Sequence, residues 1–239
     1  MRAVVSLGGS VLAPDLDPAR VAAHARAITR LVDAGVSVGV VVGGGGVARD
    51  YIESARALEA NEIELDDMGI AVTRLNARLL IAALENLAAP SPATTYDEAK
   101  AALRRGDVAV MGGVMPGQTT DAVSAALAEF VEADLLVYAT SVPGVFDADP
   151  NEDDEATRFD RMSAAELVDV IVGTEMTAGA SAPVDLLAAK LIERSRMRSI
   201  VLDGNDPEAV VDAVLDGDHD GTDVVPDGSQ AELQQWARQ

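Results

Sequence analysis

The sequence predicts an α/β fold: a three-layer αβα sandwich with a mostly parallel sheet. Three observations carry the prediction. Apolar strand-like runs alternate with helical patterns along almost the whole chain. Two of the early strands end in glycines and lead straight into a helix, as βα units do. With 239 residues, 49% of them hydrophobic, the chain can bury a core of that size.

The elements follow in order. R-A-V-V-S-L-G-G-S (2–10) is a first strand running into glycines. Asp17 to Gly35 is a helix, with Asp17 as its cap, Pro18 in its first turn, apolar residues at helical spacing and Gly35 at its end. V-S-V-G-V-V-V-G-G-G-G (36–46) is a second buried strand, and residues 47–60 resume a helix. Met68 to Ala89 carries Ile70, Leu75, Leu79, Leu80, Ala83 and Leu84 on a broad apolar face, suited to a core or a subunit interface. Strand 107–113, helix 120–133, strand 134–140 and the turn S-V-P-G-V-F-D-A-D-P (141–150) come next. Residues 151–160 are a charged surface loop. Helices near Ser163–Val172 and Pro183–Arg196, a strand Arg198–Leu202, a helix Asp206–Leu215 and a short strand Thr222–Val225 complete the pattern. Residues 227–239, with the single tryptophan Trp236, read as an appended tail. No repeat or Pro/Ser-rich linker divides the chain, so one domain over 1–226 is expected.

Forty acidic against eighteen basic residues give a net charge of −22, and only Lys100 and Lys190 are lysines. Such a single-sign field strains the compact state in dilute buffer and is screened at molar salt, where the Debye length is about 3 Å. The composition points to a high-salt cytoplasm. It argues against a nucleic-acid partner, which needs clustered Lys and Arg. No run approaches a membrane span and no signal-like N-terminus is present, so a cytoplasmic location without membrane contact is expected. The absence of cysteine excludes disulfides and thiolate metal sites. His24, in a helix, and His219, in an Asp-rich turn, read as structural, and no metal-ligand cluster stands out.

Chemistry concentrates in three loops. Gly8-Gly9-Ser10 and Gly43 to Gly46 end the first two strands, and Pro116-Gly117-Gln118-Thr119-Thr120 follows a third. Glycine lets the backbone approach a ligand and turn consecutive N–H groups toward an anion. Neither glycine loop fits G-x-x-x-x-G-K-S/T or a full G-x-G-x-x-G, which removes specific support for Walker and dinucleotide readings. Three such loops at one sheet edge suggest more than one phosphate group, hence a phosphoryl donor and acceptor held together.

Six segments extend this reading: G-G-S-V-L (8–12), V-V-V-G-G-G-x-x-A-R-x-Y (40–51), D-x-x-G-I-x-x-T-R-x-N-A (66–77), G-G-x-x-P-G-x-T-T-D-A-V (112–123), T-x-V-x-G-V-F-x-A-D-P (140–150) and G-D-H-x-G-T (217–222). Through them the chain resembles the amino-acid kinase superfamily, and within it the archaeal uridylate kinases, over about residues 2–226. The resemblance implies the carbamate kinase-like fold and transfer of the γ-phosphoryl of Mg-ATP to UMP, giving UDP and ADP in pyrimidine nucleotide synthesis. It implies an acceptor-binding part over about 1–150, an ATP-binding part over about 134–226, a homohexamer, and Mg²⁺ as the metal accompanying ATP.

By the same resemblance Gly9, Ser10, Gly45 and Arg49 line the ATP phosphates, while Thr140, Ser141, Phe146 and Asp149 contact its nucleoside. Gly44 faces the acceptor phosphate, Asp66 accepts from the UMP ribose hydroxyls, Arg74 reaches the UMP phosphate, and Val114, Met115, Pro116, Gly117, Gln118, Thr119 and Thr120 wrap the uridine. Asp185 and Lys190 are the candidates nearest the transferring group. The chain departs from the family at Ser6, where much of the superfamily has a lysine, at Pro143, and at Phe146, where tyrosine is common. Two alternatives stay open: a sibling kinase acting on isopentenyl phosphate or carbamate, and a non-catalytic ATP-binding storage or sensor protein. Polar Asp66, Thr73, Arg74 and Asn76 favour a nucleoside pocket over a lipid one.

Overall fold

A computed structural model describes residues 1–148, 150, 153, 155–175 and 184–226. Asp149 and the tail with Trp236 lie outside the described residues. The strands are β1 (Arg2–Leu7), β2 (Ser37–Val42), β3 (Ala109–Met111), β4 (Leu135–Thr140), β5 (Arg161–Ser163), β6 (Ser199–Asp203) and β7 (Thr222–Val225). They form one sheet in the order β3-β2-β1-β4-β6-β7-β5, parallel except where β6 meets β7. Leu7 lies beside Val42 and Ala139, and Thr140 beside Asp203, so β1, β2, β4 and β6 end at one edge. The chain first adds strands on one side of β1 and then crosses to the other with β4. That change of direction opens a crevice at the carboxyl ends.

The described helices are α1 (Gly9–Leu12), α2 (Pro18–Asp33), α3 (Gly45–Ala57), α4 (Glu62–Leu84), α5 (Tyr96–Arg105), α6 (Thr120–Phe130), α7 (Ala164–Glu175), α8 (Leu186–Ser195) and α9 (Pro207–Leu215). The two-residue period of the strands sends alternate side chains into two separate cores. Val5, Val40 and Val137 pack with Leu31, Leu80 and Val211 of α2, α4 and α9. Val4, Val41, Leu136 and Tyr138 pack with Leu103, Leu127, Leu167 and Ile192 of α5 to α8. The three-layer expectation holds.

Several boundaries differ from the sequence reading. α4 begins at Glu62 rather than Met68, because Asn61 and Glu64 form a reciprocal capping box. α5, unanticipated, is capped by Thr95 and closed by Gly106 at φ +90°. α8 starts after Asp185, whose side chain accepts from the Ala188 amide. No helix among the described residues is long and apolar enough to cross a membrane.

Candidate active site

The two glycine loops meet in the crevice. The Gly8 amide donates to the Ala139 carbonyl at 3.1 Å and the Gly43 amide to the Leu7 carbonyl at 2.9 Å, fixing where each strand releases its loop. A β-carbon on Gly9 would stand 2.2 Å from the Gly45 nitrogen, and one on Gly43 2.7 Å from the Gly9 nitrogen. Contact between the loops therefore requires glycine independently of any ligand, a signal that the sequence motifs alone do not distinguish. Neither loop carries a side-chain cap, and the first-turn amides of Gly9, Ser10, Gly45 and Gly46 have no intrahelical acceptor. Arg49, exposed on α3, has no hydrogen bond or ion pair among the described residues.

α4 braces these loops and the one after β3. Buried Asn76 donates to the carbonyls of Gly43 at 2.9 Å and Gly44 at 3.2 Å. The Thr73 hydroxyl donates to the Ile70 carbonyl and accepts from the Gly113 amide, both at 2.7 Å. Arg74 donates to the carbonyls of Gly113 and Val114 at 3.1 and 3.2 Å. Asp66 accepts from the Gly117 amide at 2.7 Å. The polarity of Thr73 and Asn76 is thus spent on backbone, which corrects its use as a sign of a nucleoside pocket. Arg74, expected at a phosphate, holds two loop carbonyls. Val114 to Gln118 arch outward with Met115 exposed, Gly117 at φ +77° and Gln118 3.5 Å from the Tyr96 hydroxyl.

The start of α6 adds the site's strongest electrostatics. Thr119 caps α6 through the Ala122 amide and donates to the Asp185 carboxylate, so Asp185 ties the starts of α6 and α8 together. Half-buried Asp121 has its carboxyl pushed up to about 7, first by burial and then by the Asp185 charge, against hydrogen bonds from the Ser6 hydroxyl and the Asp185 amide. Tyr138, fully buried, donates to the Asp121 carbonyl at 3.0 Å, and burial with both nearby carboxylates holds its phenol well above the usual range. Sequence reading gave Asp121 no part in the chemistry.

The donor-side candidates are more scattered. Thr140 folds back, its hydroxyl donating to the Val142 carbonyl at 2.8 Å, with Ser141 exposed beside it. Phe146 is half-buried and bridges to Arg158. Lys190 pairs with Glu193 at 2.9 Å on an exposed face of α8. The structure joins Asp185 to Thr119 and Asp121, and leaves Lys190 on a separate ion pair.

Residues 1–203 match the family model described as the amino acid kinase family. The chain belongs to the amino acid kinase family. Among members of that family, it is 70% identical over 237 residues to a uridylate kinase of Halobacterium salinarum, covering 99% of this chain and 98% of that protein. It is 73% identical over 230 residues to one from Halorubrum lacusprofundi, covering 96% and 95%. The solved uridylate kinase of Archaeoglobus fulgidus superposes with a TM-score of 0.84 at 44% identity, covering 94% of this chain and all of that one. The seven-stranded sheet is thus the amino acid kinase fold.

Proposed function

We propose that this amino acid kinase transfers the γ-phosphoryl group of ATP to UMP. The observation that carries the reading is the backbone contact between two uncapped glycine loops at the crevice where the braced 113–117 loop also ends. The uridylate kinases that the chain resembles along nearly their whole length supply the acceptor's identity.

In this reading the amides of Gly9, Ser10 and Gly45 with the unpaired Arg49 take the ATP phosphates. Thr140, Ser141, Phe146 and Asp149 take its nucleoside. Gly44 faces the UMP phosphate, and the loop from Val114 to Thr120 encloses the uridine. Asp66 trades its Gly117 partner for, or shares it with, the ribose hydroxyls. The acceptor lies over β3-β2-β1 and the donor over β4-β6-β7-β5. An oxygen of the UMP phosphate bonds to the γ-phosphorus while the bond to the bridging oxygen breaks, and ADP leaves with that electron pair. No side chain need remove a proton, because the UMP phosphate is already ionised; positioning and charge neutralisation supply the catalysis.

The donor set suits Mg²⁺ carried in by the nucleotide: two hard carboxylates, Asp121 and Asp185, repel each other beside the glycine loops, and among the described residues no cluster of three or more acidic, His or Cys ligands offers a dedicated cage. When bound, the ion would neutralise charge on the phosphates. Asp185 and Thr119 orient the start of α6 toward that position, and Lys190 can join them only by leaving Glu193. Tyr51 of α3, Leu58 just past its end, and Ile63, Met68, Leu75 and Leu79 of α4 are exposed apolar side chains, which suits the subunit contacts of a homohexamer. The acidic composition fits a high-salt cytoplasm.

An acceptor panel tests the reading. ADP release in molar KCl with Mg-ATP is expected with UMP, less with CMP and little with AMP. Equal rates with all three, or none, would overturn it.

A further inference from the structure

The turn that follows β1 is gripped from behind by two side chains that none of these roles uses. Within it the amides of Val11 and Leu12 bond to the Gly8 carbonyl at 3.0 and 2.9 Å, and the Ala13 amide to the Gly9 carbonyl at 3.1 Å. Those bonds close the turn on itself. Beyond the Gly8 bond to Ala139 and the Gly9 contact with the second loop, it is held through the Val11 carbonyl. Arg20 of α2 donates to that carbonyl at 3.3 Å and to the Asn205 carbonyl, in the turn after β6, at 2.6 Å. His24, one helical turn on and 1% exposed, turns a ring nitrogen toward the Val11 carbonyl. Gly204 closes the arrangement: a β-carbon there would stand 2.8 Å from the Val11 side chain and 2.9 Å from the Ala139 backbone.

The histidine's other nitrogen decides what the residue is for. Nε2 is buried and meets no partner. A carbonyl only accepts, so the nitrogen facing Val11 carries the proton and Nε2 holds a bare lone pair. A buried acceptor without a donor costs stability, and an apolar side chain of similar size would avoid that cost. What the imidazole supplies and leucine cannot is the N–H on Val11.

We propose that His24 and Arg20 are positioning residues, holding the Gly8–Leu12 turn so that the amides of Gly9 and Ser10 present to the donor nucleotide's phosphates. The proposal rests on assigning those amides to ATP. It predicts an effect larger at the donor than at the acceptor, because Arg20 and His24 hold the Gly8–Leu12 turn directly and reach the Gly44 loop only through it.

Three variants test it in the full chain at pH 7.5 and molar KCl, with melting temperature and both KM values measured. His24→Leu is expected to melt at the same temperature or higher, with KM for ATP raised about five- to tenfold and KM for UMP within about twofold. His24→Asn, whose amide N–H stands where the bonded ring nitrogen does, restores most of the ATP affinity. Arg20→Met raises KM for ATP in the same direction. A folded His24→Leu protein with wild-type KM for ATP, or equal rises for both substrates, overturns the proposal; should that variant fail to fold, Arg20→Met decides by the same criterion. A wild-type protein inactive toward UMP would instead refute the kinase reading, a different failure.

Discussion

Gly9 and Gly45 touch through their backbones: a β-carbon on Gly45 would stand 2.6 Å from the Gly9 carbonyl carbon, and one on Gly9 closer still to the Gly45 amide. The phosphate-facing surface is therefore one composite of two loops packed backbone to backbone.

Gly9→Ala should consequently disrupt both loops at once. A clash with three backbone atoms of the Gly43–Gly45 segment is expected to cost about 2–4 kcal/mol, above the usual overpacking penalty because no flexible side chain can yield. Gly46→Ala is the control. A β-carbon there meets nothing within 4 Å in the first turn of α3, so it should stabilise by about 0.5–1 kcal/mol. Denaturant titration of both variants at one salt concentration reads the contrast.

Asp121 is the group whose titration belongs near neutrality. Its folded pKa, about 7, lies above the ordinary 3.8. The native state thus binds the extra proton, and this carboxyl's contribution to stability falls as pH rises from about 4 to 7. Asp121→Asn should raise stability at pH 8 by up to about 4 kcal/mol and remove any inflection in kcat near pH 7. An unchanged profile and unchanged stability would show the carboxyl to be fully solvated.

His24 carries the opposite sign. Burial first and the Arg20 charge second lower its pKa from 6.5 to about 4. As pH falls below 6.5 the unfolded chain takes up this proton before the native one does. Stability is lost between pH 6.5 and 4, by up to about 3 kcal/mol, and the loss is complete below 4. His24→Leu should lack that component, which the difference between its urea titrations and those of the wild type would measure.

The sandwich, the succession of its principal strands along the chain and the three loops were legible because β-branched runs, glycines and caps are local signals. α5 was equally local, with Thr95, Glu98 and Gly106 as its punctuation, and was overlooked. Other features were beyond reach for a physical reason. The loop contact at Gly9, the spending of Asn76 and Thr73 on backbone carbonyls and amides, and the desolvation of Asp121 all depend on residues distant in sequence. Polarity alone does not say whether a side chain faces a ligand or a neighbouring loop.

One buried ion pair holds the far side of the sheet. Arg198 and Asp223 form a bidentate contact at 2.8 and 3.1 Å across the antiparallel β6–β7 pair, with side chains 11% and 5% exposed. Asp223→Ala should cost about 3–5 kcal/mol by taking the bidentate carboxylate from a buried guanidinium, and Arg198→Met with Asp223→Leu should recover a large part of it. Equal losses in the single and double variants would contradict this.

The most direct test of the central claim is a crystal structure with UMP and a non-hydrolysable ATP analogue, grown in high salt. Donor phosphates are expected to accept from the amides of Gly9, Ser10 and Gly45, with the UMP phosphate end-on to them at Gly44 and the Val114–Thr120 loop. Phosphates bound elsewhere, or glycine loops parted so that a single nucleotide fills the crevice, would contradict it.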